Sequence, residues 1–156
     1  MRYEHTQPGH VIRVSLAAAA FVFLAILLIA GESAPPPTRI ALIAAMGLDL
    51  LAAWLFWSLT VTVDAETVGI RFGAGLIRKR WPVASIASCR PVRNSFWHGW
   101  GIHWSPGGWV FNVSGYGAVE VRLRSGRKVR IGTDEPEVLA EAIAMAAGLA
   151  PMEDPT

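Results

Sequence analysis

Two apolar runs near the start constrain this chain more than anything else in it. Val14–Ala30 is seventeen residues without a charge, and Ile40–Leu59 is twenty residues with one. A bilayer core takes about twenty helical residues at 1.5 Å of rise each, so both runs are long enough to cross, the first only just. Between them lies GESAPPPTR, where three prolines oppose continuous helix. Nine residues turn a chain back at a membrane surface but do not build a domain. The expectation is a transmembrane helical hairpin over residues 1–60, with helices about 14–30 and 40–59.

The rival for the first run is a cleaved signal peptide, which also begins with a basic flank. Its apolar core is normally 7–15 residues, shorter than this one, and Leu28 or Glu32 would fall at the outer small-residue position of the cleavage pattern. The anchor reading is preferred.

Charge divides the chain in the same way. Residues 14–59 carry only Glu32, Arg39 and Asp49, whereas eleven of the fourteen basic residues and nine of the twelve acids lie from residue 64 onward. That second part, roughly 95 residues, is large enough to bury a core of its own. A net charge of +2 lacks the dense basic face of a nucleic-acid binder. The lone Cys89 excludes an internal disulfide and a cysteine-based zinc site. Basic residues flank the runs unevenly. Arg2 and Arg13 precede the first, Arg71, Arg78, Lys79 and Arg80 follow the second, and the connecting loop offers Arg39. The positive-inside rule then places both termini and the second part in the cytoplasm, in a multi-pass protein of the inner membrane. Trp54 and Trp57 suit the aromatic belt at that interface.

Asp49 falls at the middle of the expected second helix, where a charged carboxylate costs about 2.5–3.5 kcal/mol on insertion scales. Three readings stand: contact with another membrane protein or a second copy, a protonated carboxyl tolerated by local hydrogen bonds, or a proton-coupled group.

After Leu59 the periodicity changes. Thr60–Val63, Val68–Phe72, Leu76–Trp81, Ile86–Val92, Ile102–Trp104, Trp109–Val113, Ala118–Arg124 and Lys128–Ile131 alternate or are β-branched, and Gly, Pro, Asp and Ser separate them. Ser125-Gly126 is a hairpin signal. Asp134, Pro136 and Glu137 open a helix of about 135–147 with a capping box. Leu139, Ala142, Ile143 and Ala146 share one face of it, and Gly148 and Pro151 end it. The fold class is therefore α+β, with an antiparallel β-domain over 61–148 and a tail at 149–156.

The tract GWGIHWSPGGWVFNVSGYGAVEVRLRSGRKVRIGTDEPEVLAEAI, Gly99–Ile143, resembles the bacterial pleckstrin-homology-like domains of small two-helix membrane proteins. The resemblance implies a PH-like β-barrel plugged by the C-terminal helix, with Leu139 and Ile143 buried, in a binding module with no catalytic activity. Relatives of the fold bind inositol phosphates through basic residues of the first strand pair. No distinctive ligand motif accompanies Arg71, Arg78, Lys79 and Arg80, so that specificity is not carried over.

Chemistry is sparse. His98 and His103 flank a tryptophan-rich loop and have Ser95 and Ser105 nearby, but no acid lies between Glu66 and Glu120 to orient an imidazole. No ligand spacing for a metal is present, and no cofactor is implied. Cys89 reads as a small buried residue. Trp104 and Trp109, in strands, are expected to be structural, filling the core and covering its seams; Trp97 and Trp100, in a loop, suit either that role or contact with a ligand or leaflet. Arg78, Lys79 and Arg80 suit a membrane-surface or ligand contact, each worth about 1 kcal/mol near an anionic leaflet. The leading reading is a membrane-tethered binding or scaffolding module at the inner face. The alternatives are an accessory subunit docking through the hairpin at Asp49 and, remotely, an enzyme.

Overall fold

The computed structural model describes residues 3–95 and 99–149. Strand β1 (Tyr3–Pro8) leads through Gly9 into helix α1 (His10–Ala30). A short 3-10 turn, Gly31–Ser33, returns the chain into helix α2 (Pro36–Leu55). Then follow β2 (Ser58–Val63), β3 (Thr67–Phe72), β4 (Ile77–Pro82), β5 (Ile86–Arg93), β6 (Gly101–Ser105), β7 (Gly108–Asn112), β8 (Gly117–Leu123), β9 (Lys128–Gly132) and helix α3 (Pro136–Ala147).

The two long helices pack side by side, and neither has a buried residue. Phe21, Leu28, Ile29, Ile40 and Leu48 stand exposed. Such surfaces are unfavourable in water and suit hydrocarbon. Both helices meet the length and hydropathy of a membrane span, and their exposed apolar surface suits insertion in a bilayer.

Their limits differ from the sequence reading. The second helix occupies 36–55 rather than 40–59, because Pro36 and Pro37 sit at its first positions. There their fixed φ favours a helix and their missing N–H is not needed. At the other end, Ser58 and Leu59 pair with Pro8 and Gln7 in a sheet and cannot remain helical. The first helix begins at His10, four residues before the charge-free run.

The segment before the first helix brings the largest addition. Residues 1–60 read as a hairpin alone, yet Tyr3–Pro8 forms an edge strand antiparallel to β2, from Tyr3 opposite Val63 to Pro8 opposite Ser58. The hairpin is thus inserted between two paired strands of one sheet.

That first sheet has the order β1-β2-β3-β4; the second has the order β5-β8-β9-β7-β6. All eight strands expected from alternation are present. The pairing is not purely antiparallel: β9 returns from β8 into the slot between β8 and β7 and so runs parallel to β7. Between the sheets lies a core that includes Leu59, Val61, Ile70, Phe72, Phe111, Val119 and Ile131. Helix α3 packs on β5 and β8 of the second sheet, with Leu139 and Ile143 fully buried. Its left-handed Gly148 terminates it. The expected Asp134 cap does not form. Thr133 Oγ1 accepts the Glu135 N–H instead, at 3.1 Å, because the Asp134 carboxylate is engaged by His5.

Candidate functional site

The junction between hairpin and sheets has a defined geometry. The Gly9 N–H donates to Trp57 O at 2.8 Å, and the Gly73 N–H donates to Ser58 O at 2.9 Å. Both positions require glycine. A Cβ on Gly9 would lie 2.7 Å from Phe56 O, and one on Gly73, which has φ +46°, would lie 2.7 Å from Leu55 O. The β3–β4 turn, Gly73–Leu76, is therefore pressed against the base of α2. Around that base Trp54 and Trp57 are half exposed and Leu76 is 69% exposed. A line of rings runs from this base into the domain. Phe56 meets Phe72 at 5.2 Å, Phe72 meets Phe111 at 6.4 Å, and Phe111 stacks on Trp109 at 6.5 Å.

The register then separates the three basic residues of β4. Arg78, Lys79 and Arg80 lie opposite Arg71, Ile70 and Gly69. Alternation puts Arg78 and Arg80 on the outer face of the sheet. Arg78 Nε–H donates to Gly75 O and so braces the turn. Lys79 shares the inward register with Ile77 and Trp81 and lies opposite the buried Ile70. It faces a cavity of about 330 Å³ between the sheets, walled by Ile77, Trp81, Ile102, Trp109 and Phe111, with Arg127 and Lys128 also on its lining. No acid belongs to that lining.

Trp104 and Trp109 lie at the edge of the core rather than within it. They face each other across the β6–β7 hairpin and are 67% and 48% exposed. By alternation their side chains share the face of Ile102 and Phe111, and Trp109 lines a cavity with Ile77 and Trp81 of the first sheet. Trp100 is half-buried, packs on Tyr116 and donates its indole N–H to Gly115 O at 3.3 Å. Trp97 and His98 lie outside the described residues.

Asp49 stands six residues before the end of α2, about 9 Å at helical rise. It is therefore nearer the domain than the mid-helix position expected for 40–59. Its residue is half-buried in the hairpin, and its Oδ2 is enclosed with no hydrogen-bond partner.

On the outer face of the second sheet, alternation missed one arrangement. Arg90, Glu120 and Arg130 are directly opposite one another on β5, β8 and β9. Glu120, only 5% exposed, accepts from Arg90 at 3.0 Å and from Arg130 at 3.0 and 3.1 Å. Burial pushes its pKa up, but hydrogen bonds from Arg130 and Arg90 and their charges outweigh burial and hold it below the usual value. In sequence these residues are 30 and 10 positions apart, so only the strand order reveals the ladder. Cys89 is buried, as its strand pattern indicated, and faces Ala140 O at 3.4 Å; burial raises its pKa. Ser105 Oγ is occupied within its own turn, donating to Gly108 O at 3.1 Å. Among the described residues no group of three or more His, Cys, Asp or Glu is placed to hold a metal ion.

No protein-family description matches this chain, and a search of curated proteins finds no relative.

Proposed function

We propose that this protein is a membrane-tethered, non-catalytic binding or scaffolding module of the PH-like type, held at the cytoplasmic face of the inner membrane. The observation that carries this reading is the junction. Paired strands β1 and β2 emerge directly from the two membrane helices, and glycines at 9 and 73 leave the domain no slack against the helix base. A domain so held keeps one surface against the leaflet. Its Leu76, Trp57 and Arg78 match what an anionic interface attracts: apolar and indole groups at headgroup level, with cations beside them. The flanking basic residues support the cytoplasmic side.

Spin labels at Leu76→Cys and, in a separate variant, Arg122→Cys test this in reconstituted full-length protein carrying Cys89→Ser. Collision with lipid-soluble oxygen is expected at position 76 and with a water-soluble nickel complex at position 122. Water-type access at both positions removes the leaflet-facing arrangement. In membrane vesicles, an impermeant maleimide is expected to reach position 122 only from the cytoplasmic side; labelling from the opposite side overturns the orientation.

A half-buried carboxyl at Asp49 within an apolar helix supports a second reading, an accessory subunit docking through its hairpin. Asp49→Leu is then expected to release a co-purifying membrane partner. Partners retained by the variant would exclude docking through this residue.

A further inference from the structure

We infer that the outer face of the second sheet, where β5, β8 and β9 lie side by side, docks an acidic segment of a cytoplasmic protein. Arg90, Arg122 and Lys128 would hold its carboxylates. The inference rests on the reading of the chain as a membrane-tethered binding module and adds the chemistry of its partner.

Register builds the face. Arg90, Glu120 and Arg130 form one row across the three strands, and Ser88, Arg122 and Lys128 form the next. Glu120, the one carboxylate in those rows, already accepts from both Arg90 and Arg130. Arg122 and Lys128 stand directly opposite each other, a placement of like charges that destabilises a sheet. Among the described residues neither is paired with an acid. Arg122 is exposed and Lys128 half-buried. Arg90 lies diagonal to Arg122, and its side chain is 61% exposed despite its bond to Glu120. An anionic partner offsets the repulsion among these three cations.

The shape of the face suits a peptide. A depression of about 420 Å³ opens beside the cations, lined by Ser88, Arg90, Glu120 and Arg122 and by Ala144 and Leu149 at the end of α3. Cations on one side and apolar side chains on the other fit a chain that alternates acidic and apolar residues. Its backbone gains little from the free edge of β5, where the register shifts between Ile86 and Ser88 and Pro91 has no N–H. Recognition therefore falls to side chains, and the planar guanidinium groups of Arg90 and Arg122 match carboxylates.

Position argues against the leaflet as the source of the anion. Strand β4 leaves the helix base at Ile77 and reaches Pro82 about 17 Å further on at strand rise. The turn beyond it, Val83–Ser85, holds the end of β8, since the Arg124 N–H donates to Ser85 O at 2.8 Å. Arg122 and Lys128 thus lie toward the end of the domain remote from the helix base, beyond a Debye length of about 8 Å at physiological salt. The anion they meet comes from the cytoplasm.

The test uses full-length protein in phosphatidylcholine nanodiscs and a short fluorescent peptide of alternating Glu and Ala that carries a benzophenone. Polarisation should show binding that weakens with salt, and mass spectrometry should find adducts on the β5 and β8–β9 peptides. The counterpart with Gln for Glu should not bind. Arg122→Gln with Lys128→Gln should weaken binding about tenfold or more. Arg39→Gln with Arg71→Gln removes the same charge elsewhere and should leave binding unchanged. The adduct map needs no substitution, so it decides the site even where a variant misfolds. No binding, equal binding of the Gln counterpart, adducts on other surfaces or equal loss in both double variants overturns the inference. Stronger binding of single-stranded DNA than of the Glu peptide overturns the protein partner. Displacement of the peptide by phosphatidylglycerol added to the same disc puts the face against the leaflet and overturns it too. Protein that fails to enter the discs removes the membrane reading itself, so the two failures are distinguishable.

Discussion

His5 Nε2 lies 2.6 Å from Asp134 Oδ1, joining the strand that precedes both membrane helices to the residue pair that opens the last helix. Glu135 completes the latch, 3.4 Å from His5 Nδ1 and accepting from Tyr3 OH at 3.4 Å. The edge strand is therefore held on two sides, by β2 through its backbone and by the start of α3 through side chains. The latch thus holds the segment that leads directly into α1.

His5→Ala is expected to destabilise the β-domain by about 0.5–1 kcal/mol, the scale of a side-chain hydrogen bond. Hydrogen exchange should locate the effect in β1 and the first turn of α3. Uniform loosening of both sheets would contradict the latch.

Tyr3 links the same latch to alkaline pH. Burial, then the charge of Glu135, pushes its phenol from 10.0 up to about 12. A raised folded pKa means that the folded state retains a proton which the unfolded chain releases. Tyr3's contribution is complete below pH 10 and disappears as pH rises from 10 to 12. Thermal melts across that window should show a loss that Tyr3→Phe removes, with the phenolate absorbance of Tyr3 rising late in wild type.

Glu120 works in the opposite direction. Its lowered folded pKa means that its contribution is complete above the ordinary carboxylate value of 4.5 and is lost as pH falls below it. Glu120→Gln should flatten that acid limb. Glu120→Ala should cost about 3 kcal/mol at neutral pH, since it leaves Arg130, 17% exposed, without its counter-charge. Denaturant titration of the reconstituted protein measures both.

Gly73→Ala should cost about 2 kcal/mol or more, combining left-handed backbone strain with a Cβ only 2.7 Å from Leu55 O. The same substitution at Gly75 also meets a positive φ, but its nearest neighbour is the flexible Arg78 side chain at 3.6 Å. The difference between the two variants, read by denaturant titration, isolates the contact between turn and helix base.

Eight strands, the two membrane helices and the amphipathic α3 were legible in the chain because each rests on local periodicity. Leu59, Val61 and Val63 alternate because one face of β2 is dry, and Leu139 and Ile143 recur at helical spacing for the same reason. Tyr3–Pro8 carries no such signal. YEHTQP is polar and ends in proline, and it is a strand only because β2 offers it an edge. Trp104 and Trp109 read as core because they alternate in register with Ile102 and Phe111; how much of that face the rest of the fold covers is not a local property.

What the sequence alone determined, then, is the set of elements and the apolar hairpin suited to a bilayer, since run length, hydropathy and turn residues act within a few positions of themselves. What only the tertiary structure decided is which of those elements meet. It drew β1 in beside β2, sent β9 between β8 and β7, aligned Arg90, Glu120 and Arg130, and turned Lys79 inward while Arg78 and Arg80 point out. Each of these depends on register between strands distant in the chain, and register is set by how two whole faces pack, which no local pattern contains.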